Sequence, residues 1–303
     1  MTPTPQRAML VVSHTARAEA IAATQTVVSS LQQHGVTVAM TETDRDEYTP
    51  HLDVSQVVTL GREVAVADIE VTIVLGGDGT ILRAAEEVRG SRCPIASVNL
   101  GHVGFLAEME PHALDTTIDR VLARDYTVEE RTTLDVRIIR SEHTVAHTFA
   151  VNEATVEKQQ RMIEVSVGVD GQPLSTFGCD GMVMSTPTGS TAYAFSAGGP
   201  IMWPQVDAML MVPIAAHALF NRPLVVGPQS VLETQLTLNT PGTAYLWCDG
   251  RRRFELHPGD RVEVRSSPRT LRLARMYQGE FSERLVQKFH LPVEGWRGEK
   301  PGS

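Results

Sequence analysis

The sequence predicts a two-domain protein, with an α/β N-terminal domain followed by a β-rich, sandwich-like C-terminal domain. The chain has 303 residues, and at roughly 100–200 residues per domain this length suggests two domains. Over the first 127 residues, short apolar runs alternate with segments of helical spacing, a pattern typical of a parallel sheet covered by helices. From Thr133 onward, short β-branched runs separated by turn residues replace that pattern, which is typical of a sandwich or layered sheet.

The N-terminal domain is predicted from four apolar runs and the helical segments between them. Strands are expected at residues 8–13, 36–40, 71–75 and 94–98. Helical spacing covers residues 16–34, with Gly35 as the expected C-terminal cap, and residues 81–89. The acidic stretch 41–69 is irregular, and we expect it to form an exposed loop and a helix.

Eight short runs predict the strands of the β-rich domain. They lie at residues 134–139, 147–155, 163–169, 181–185, 231–238, 243–247, 261–264 and 271–273. Asp170-Gly171 is a hairpin signal among them. Residues 281–289 then predict a short helix with Phe281, Leu285 and Phe289 on one face, and residues 295–303 form a polar tail.

Composition and charge narrow the class of protein. Hydrophobic residues make up 42% of the chain and charged residues 21%, which is ordinary for a globular protein with a sizeable core. The net charge of −9 argues against a general nucleic-acid binder. Cys93, Cys179 and Cys248 have no CxxC spacing, so neither a disulfide framework nor a zinc knuckle is predicted. The longest apolar stretch, 208–220, is shorter than the ~18–20 residues of a membrane span, so we expect a soluble, cytoplasmic protein.

The strongest local feature of the N-terminal half is Gly76-Gly77-Asp78-Gly79-Thr80, between a predicted strand and a predicted helix. Glycines there let backbone N–H groups approach a phosphate at the positively polarised helix N-terminus. An aspartate would repel phosphate unless it has another task, and two tasks fit: binding Mg²⁺, or accepting the proton of an attacking hydroxyl. Alternatively, Asp78 only caps the helix at Thr80, because aspartate is a favoured N-cap residue.

Two further segments combine polar groups in a way that suits a sugar or a phosphate. Residues 185–200 are dense in hydroxyls and small side chains, and Tyr193 offers a flat ring face; a well-capped turn and a closely packed helix are the alternative. Asn152-Glu153 interrupts an apolar run, and a buried polar pair needs partners such as the vicinal hydroxyls of a sugar. Another carboxylate follows at Asp180.

Other signatures are absent or weak. The sequence contains neither GxxxxGK[ST] nor a kinase-type GxGxxG, which argues against a P-loop NTPase and a protein kinase. The spacing from Gly101 to Gly104 is more typical of a tight turn. His143 and His147 lie four residues apart in a predicted strand, which disfavours a shared metal. Residues 189–192 lack the final glycine of a nucleophile elbow, which disfavours a hydrolase.

Taken together, five segments resemble bacterial NAD kinases. They are GGDGT at 76–80, NLGHVGFL at 99–106, Asn152-Glu153, Asp180-Gly181 and TPTGSTAYAFSAGGP at 186–200. GGDGT is shared with diacylglycerol and sphingosine kinases and, more loosely, with phosphofructokinases, whereas the Asn-Glu pair and 186–200 are more specific. The resemblance implies the NAD kinase/diacylglycerol kinase-like fold. The implied domains are 1–127, carrying GGDGT, 128–275, binding NAD, and a segment 276–303 that returns to the first domain.

The resemblance also implies an activity, which is ATP-dependent phosphorylation of the 2′-hydroxyl of the adenosine ribose of NAD to give NADP. It implies a divalent cation, expected to be Mg²⁺ and held mainly through phosphates, and a homodimer or homotetramer. Asp78 is the implied base, Gly79 an NAD contact and Arg83 a phosphate contact. The other implied substrate-binding residues are Gly76, Gly77, Thr80, Asn152, Glu153, Arg161, Asp180, Thr188, Thr191, Ala192, Tyr193 and Ser196.

Rival functions remain open at this point. A lipid or sugar kinase would use the same GGDGT turn, but a net charge of −9 and the lack of a basic amphipathic helix disfavour action at a membrane surface. A dinucleotide-binding sensor without catalysis would have lost the base or the glycine turn. An NAD-dependent oxidoreductase would carry GxGxxG after its first strand, which this chain does not.

Overall fold

The computed structural model describes residues 7–100, 104–107, 114–219, 221–241, 243–277 and 279–293. The chain divides into two compact units, residues 1–130 with 272–303 and residues 131–271. The predicted polar tail and the middle of the 99–106 segment lie outside the described residues. The functional domain boundaries at 127/128 and 275/276 stay a prediction.

The first unit is built on a seven-stranded sheet. Its strands are β1 (Ala8–Ser13), β2 (Thr37–Met40), β3 (Val57–Thr59), β4 (Ile69–Leu75), β5 (Ile95–Val98), β6 (Thr127–Arg131) and, from the end of the chain, β19 (Leu271–Arg275). The order is β3-β2-β1-β4-β5-β19-β6, and the pairings from β3 to β19 are parallel. The carboxyl ends of β1, β4 and β5 therefore lie at one edge, where open parallel sheets usually bind ligands.

Five α-helices lie in the described part of this unit. They are α1 (Ala18–Gln33), α2 (Glu42–Tyr48), α3 (Asp78–Glu87), α4 (Leu114–Ala123) and α6 (Phe281–Phe289). α1 buries Val27, Val28 and Leu31 in the same apolar cluster as Met9 and Ile73 of the sheet, which stabilises the layer by removing apolar surface from water. The predicted one-sided face of α6 is confirmed, since the Phe105 ring lies 5.8 Å from the rings of both Phe281 and Phe289.

Two expectations for the first unit need correction. The stretch 41–69 does contain the expected helix, α2, but it also contains β3, which is too short to show a period and pairs in parallel with β2. The run at 271–273, expected among the strands of the β-rich domain, forms β19 and pairs with β5. A short apolar run carries no information about its distant pairing partner, so the sequence could not assign either strand.

The second unit is a β-sandwich. Its strands are β7 (Leu134–Arg140), β8 (His143–Ala150), β9 (Glu153–Lys158), β10 (Ile163–Val169), β11 (Gln172–Cys179), β12 (Gly181–Ser185), β13 (Met209–Ile214), β14 (Leu224–Val226), β15 (Val231–Leu236), β16 (Ala244–Cys248), β17 (Arg252–Leu256) and β18 (Arg261–Ser266). They form two six-stranded sheets, ordered β11-β10-β15-β18-β7-β8 and β14-β13-β12-β9-β16-β17. Buried side chains from both sheets share one apolar cluster, so the predicted sandwich-like arrangement is confirmed.

One predicted strand of this unit is in fact two. The run at 147–155 was expected to be continuous, but β8 ends at Ala150 and β9 begins at Glu153 in the other sheet. The chain crosses between the sheets at Val151 and Asn152. After β12, a 3₁₀ turn (Thr188–Thr191) and the short helix α5 (Tyr193–Ser196) follow.

The three cysteines are buried and free. Burial raises the pKa of the Cys93 thiol to about 11 and the pKa values of the Cys179 and Cys248 thiols to about 12. Such thiols carry almost no thiolate at neutral pH and are poor nucleophiles. Among the helices that the structure describes, none is long and apolar enough to span a membrane.

Candidate active site

The GGDGT turn lies where β4 ends and α3 begins. Gly76 has φ +154°, and a Cβ atom there would come within 2.5 Å of Thr80 Oγ1, so the position requires glycine. Gly77 is the N-cap residue and α3 begins at Asp78. The first N–H groups of a helix have no intrahelical partner, so this turn presents donors to an anion.

The Asp78 carboxylate is held by a neighbouring loop. Its Oδ2 accepts from the N–H of Phe105 at 2.9 Å, and its Oδ1 accepts from the N–H groups of Leu106 and Ala107 at 3.0 and 3.2 Å. α3 has no side-chain capping bond among the described residues, so the alternative in which Asp78 only caps its helix does not hold. Among the described residues, two donors fill the two acceptor sites of Oδ1 and one donor occupies Oδ2, which leaves Oδ2 one site for a further hydrogen.

The loop that binds Asp78 is itself held by the end of the chain. Arg284 of α6 donates to the carbonyl oxygens of Phe105 and Ala107 at 2.9 and 3.4 Å, and Arg275 of β19 donates to that of Leu106 at 2.9 Å. The loop's N–H groups thus face Asp78 while its carbonyl groups face two arginines. Its conformation is fixed from both sides.

Arg83 follows Asp78 by five residues along α3 and is already paired. Its guanidinium group forms an ion pair with Asp44 of α2 and donates to the Ser13 carbonyl at 2.5 Å. Burial raises the pKa of Asp44, and the charge of Arg83 acts in the opposite direction. Sequence reasoning missed Asp44, because it lies in the irregular stretch 41–69 to which the resemblance assigns nothing.

In the second unit, Asn152 and Glu153 lie at the crossing between the two sheets. The Asp249 carboxylate accepts from the N–H groups of Val151 (2.9 Å), Asn152 (2.7 Å) and Glu153 (3.4 Å). Arg252 donates to Asp249 Oδ2 at 2.8 Å. Sequence reasoning also missed Asp249; the only signal was its place in an Asp-Gly turn, which predicts a hairpin rather than a site.

Glu153 is a buried carboxyl group, with 7% of its surface exposed. Burial, and then the charge of Asp249, raise the pKa of Glu153 to about 8, although the backbone N–H of Tyr193 acts in the opposite direction. Its Oε2 has no hydrogen-bond partner among the described residues. Glu153 is therefore largely protonated at neutral pH and has an O–H group to donate.

The hydroxyl-rich segment uses part of its hydroxyls internally. Thr186 Oγ1 donates to the Val151 carbonyl at 2.7 Å, and the N–H of Thr186 and Oγ of Ser185 donate to that of Asn152 at 2.9 and 3.1 Å. A Cβ on Gly189 would overlap the Asn152 carbonyl. Ser185, Thr186 and Gly189 therefore form a closely packed turn, which was the alternative to a sugar- or phosphate-binding role. This turn holds the backbone of Asn152 in place.

The remaining predicted residues of the second unit differ in exposure. Thr188 is buried, Thr191 and Ala192 are half-buried, and Ser196 and Arg161 are exposed. Tyr193 is 40% exposed; burial, and then the charge of Glu157, which sequence reasoning missed, raise the pKa of its hydroxyl. Asp180 pairs with Lys158 at 2.5 Å.

Comparisons with known proteins agree on one family. Residues 9–126 match the family model for the ATP-NAD kinase N-terminal domain and residues 151–276 that for its C-terminal domain. The chain is 55% identical to the NAD kinase of Leifsonia xyli, over 97% of each chain, and 50% identical to NAD kinase 2 of Streptomyces coelicolor, over 98% of this chain and 99% of that one.

Two solved structures have the same fold. Yeast NADH kinase, complexed with NADH, superposes with a TM-score of 0.86 at 22% identity, over 98% of this chain and 91% of that one. The NAD kinase of Archaeoglobus fulgidus, in complex with ATP, gives a TM-score of 0.67 at 24% identity, over 94% and 98%. The predicted fold class is confirmed, and with matches to both domain models the chain belongs to the ATP-NAD kinase family.

Proposed function

We propose that this chain transfers the γ-phosphoryl group of ATP to the 2′-hydroxyl of the adenosine ribose of NAD and so produces NADP. Membership of the family makes it a phosphotransferase. The observation that carries the proposal is the Asp78 carboxylate, fixed by three backbone N–H groups at the start of α3. A rigid carboxylate beside the free N–H groups of a helix combines a proton acceptor with a phosphate-binding terminus.

Asp78 is the proposed general base, acting through Oδ2. A ribose hydroxyl is a weak nucleophile at neutral pH, so its proton must leave as the new P–O bond forms. Phosphoryl transfer is catalysed mainly by positioning and by neutralising charge, and the loop that holds Asp78 supplies the positioning. Gly77 and Gly79 offer backbone donors to the phosphates, and Thr80 offers its hydroxyl. The N–H of Gly76 donates to the Val98 carbonyl at 3.0 Å, so Gly76 contributes by shaping the turn. Arg83 adds a positive charge, shared with Asp44.

The second unit supplies the proposed contacts to NAD. Asn152 and Glu153 bind ribose and adenine-side groups, and protonated Glu153 donates through its unpartnered Oε2. The resemblance to NAD kinases assigns Asp180 to the nicotinamide end of NAD. The proposed lining of the pocket consists of Arg161, Thr188, Thr191, Ala192, Tyr193 and Ser196.

A divalent metal ion, taken as Mg²⁺, belongs to the proposal. Mg²⁺ is usually held by one or two carboxylates together with substrate phosphates and waters. No group of three or more His, Cys, Asp or Glu that would hold a metal occurs among the described residues, and the Asp78 carboxylate already accepts from three N–H groups. This donor set fits an ion held by the triphosphate and water, where it would neutralise charge on the phosphate oxygens.

The proposal is tested by assaying the product. The purified chain is incubated with NAD, ATP and Mg²⁺, and NADP is detected with an NADP-specific dehydrogenase. We expect NADP; other nucleotides and inorganic polyphosphate, tried in parallel, define the donor range. If none of these donors gives NADP, phosphorylation of a lipid or sugar would identify the rival kinase, and binding of NAD without turnover would identify a sensor.

Replacing Tyr193 by alanine is expected to raise the KM for NAD roughly 5- to 150-fold, because a ring stacked on a base contributes about 1–3 kcal/mol. The KM for ATP should change much less. Phe195→Ala is the matched control, since Phe195 lies in the same short helix and is also 40% exposed. A larger rise in the KM for ATP than for NAD would place Tyr193 on the donor side.

We also propose a homodimer or homotetramer in the cytoplasm. Two edge strands of the sandwich, β11 and β14, expose Leu174 (52%) and Val225 (54%), and exposed apolar side chains on edge strands are typical of surfaces that associate. Free cysteines are usual in a reducing compartment. Light scattering coupled to gel filtration measures the assembly size, and a monomer at micromolar concentration would contradict the proposed homodimer or homotetramer.

A further inference from the structure

The Asp249 carboxylate is buried beneath the crossing that carries Asn152 and Glu153. Its side chain is 2% exposed, and its four donors are the N–H groups of residues 151–153 and the guanidinium group of Arg252. We propose that Asp249 is a positioning residue that orients Asn152 and Glu153 toward the dinucleotide. This inference rests on the proposed function.

The donors around Asp249 identify its charge state. All four are N–H groups, which cannot accept a hydrogen, so the geometry fits an ionised carboxylate rather than a carboxylic acid. Burial raises the pKa of Asp249, while the backbone N–H groups and Arg252 act in the opposite direction. Among the described residues Glu153 has no cationic partner of this kind, and the charge of Asp249 helps to raise its pKa, so of the two carboxyl groups Glu153 is the one that keeps its proton.

Arg252 links the Asp249 carboxylate to the end of β8. It donates to the Phe149 carbonyl at 2.8 Å and to Thr148 Oγ1 at 3.1 Å, and its guanidinium carbon lies 4.0 Å from the centre of the Phe149 ring. The turn between β16 and β17 therefore holds the crossing between the two sheets at two places. Arg252 binds the end of β8 before the crossing, and Asp249 binds the backbone of residues 151–153 at the crossing itself.

The crossing is held from the opposite direction as well. The carbonyl groups of Val151 and Asn152 accept from Ser185 and Thr186, while their N–H groups donate to Asp249. With both backbone groups engaged, the turn has little freedom left. In Asp249→Asn the amide oxygen can still accept from the N–H groups of residues 151–153, but the amide nitrogen in place of Oδ2 cannot accept from Arg252. This weakens one of the two clamps and leaves the other in place, which shifts the side chains of Asn152 and Glu153 without dissolving the sandwich.

Asp249 also acts on Glu153 through its charge. The titratable groups that face Glu153 are Asp249, Glu157, Cys248 and the half-exposed Tyr193; the cation Arg252 lies against Asp249. Of the carboxylates, Asp249 contributes most to raising the pKa of Glu153. Removing its negative charge makes ionisation of Glu153 easier and lowers the pKa of Glu153.

The test compares Asp249→Asn with Asp260→Asn. Asp260 is a matched buried aspartate of the same unit, held by two hydrogen bonds from Arg140 and one from the N–H of His257; none of its hydrogen bonds within the described part of the chain goes to residues 151–153. The KM for NAD, the KM for ATP and kcat are measured from pH 6 to 9.5 on variants whose folding is checked by thermal unfolding.

Asp249→Asn is expected to raise the KM for NAD by at least about tenfold and to change the KM for ATP by less than about twofold. The change in the KM for NAD that wild type shows near pH 8 should move to lower pH. Asp260→Asn should lower the melting temperature but leave both KM values and the pH profile unchanged. A purely structural role of Asp249 would leave the pH profile where it is.

If Asp249→Asn does not fold, Arg252→Gln carries the test, with Arg140→Gln as its control. Arg252→Gln should raise the KM for NAD at least about threefold. The inference is overturned if either test variant changes the KM for NAD no more than its control does, or if Asp249→Asn leaves the pH profile in place. Wild-type protein that forms no NADP would instead overturn the proposed function.

Discussion

Asp78→Asn is expected to lower kcat by at least about 100-fold, because general-base catalysis typically contributes ~10²–10⁴-fold, or about 3–5.5 kcal/mol. The amide oxygen of asparagine can still accept from the N–H groups of Leu106 and Ala107, so the loop stays near its place. The amide nitrogen at the position of Oδ2 cannot accept a proton. Initial rates at saturating NAD and ATP, with thermal unfolding in parallel, measure the effect.

Asp115→Asn is the matched control for this variant. Asp115 is an exposed aspartate in the first turn of α4, as Asp78 is in the first turn of α3, so the substitution removes the same charge from a comparable helix position. Its kcat should equal that of wild type. An Asp78→Asn protein that keeps more than half of the wild-type activity would show that Asp78 is not the base.

Gly104→Ala is expected to lower kcat by at least about tenfold without removing any functional group. A Cβ atom on residue 104 would overlap Asp78 Oδ1 and lie 2.9 Å from its Cγ, so the carboxylate must move. Since a misplacement of about 1 Å can cost ~10²-fold in rate, displacing the base should resemble removing it in part. The measurement is kcat at saturating substrates.

Gly227→Ala is the control for the glycine substitution, because a Cβ there meets nothing within 4 Å. It should leave kcat and the melting temperature near their wild-type values. If Gly104→Ala were as active as Gly227→Ala, the position of the Asp78 carboxylate would not limit the rate, and the proposed role of the loop would be wrong.

Local patterns carried enough information to predict the fold class and the first half of the candidate site. The GGDGT turn could be predicted directly, because glycines between a buried strand and a helix are typical of a phosphate-binding turn. The helix at 281–289 was equally clear from the spacing of its three apolar residues. Both depend on contacts between neighbours in sequence.

What the sequence could not reveal depends on contacts between distant residues. Asp44 meets Arg83, Asp249 meets Asn152, and Arg284 meets the loop at Phe105 across 39, 97 and 179 positions. Each of these side chains is an ordinary charged residue in its own neighbourhood, in a helix, a turn and a helix. Their roles depend on partners that are distant in sequence, and the local spacing of residues does not predict such pairings.

The central claim is transfer of the terminal phosphoryl group of ATP to NAD, with Asp78 as the base. The most direct measurement follows ATP labelled in its γ-phosphate through incubation with NAD, Mg²⁺ and the purified chain, with Asp78→Asn alongside. The account predicts that wild type places the label on the 2′-position of NADP, and that the variant does so at least about 100-fold more slowly. Label released only as inorganic phosphate, or equal transfer by the variant, would contradict it.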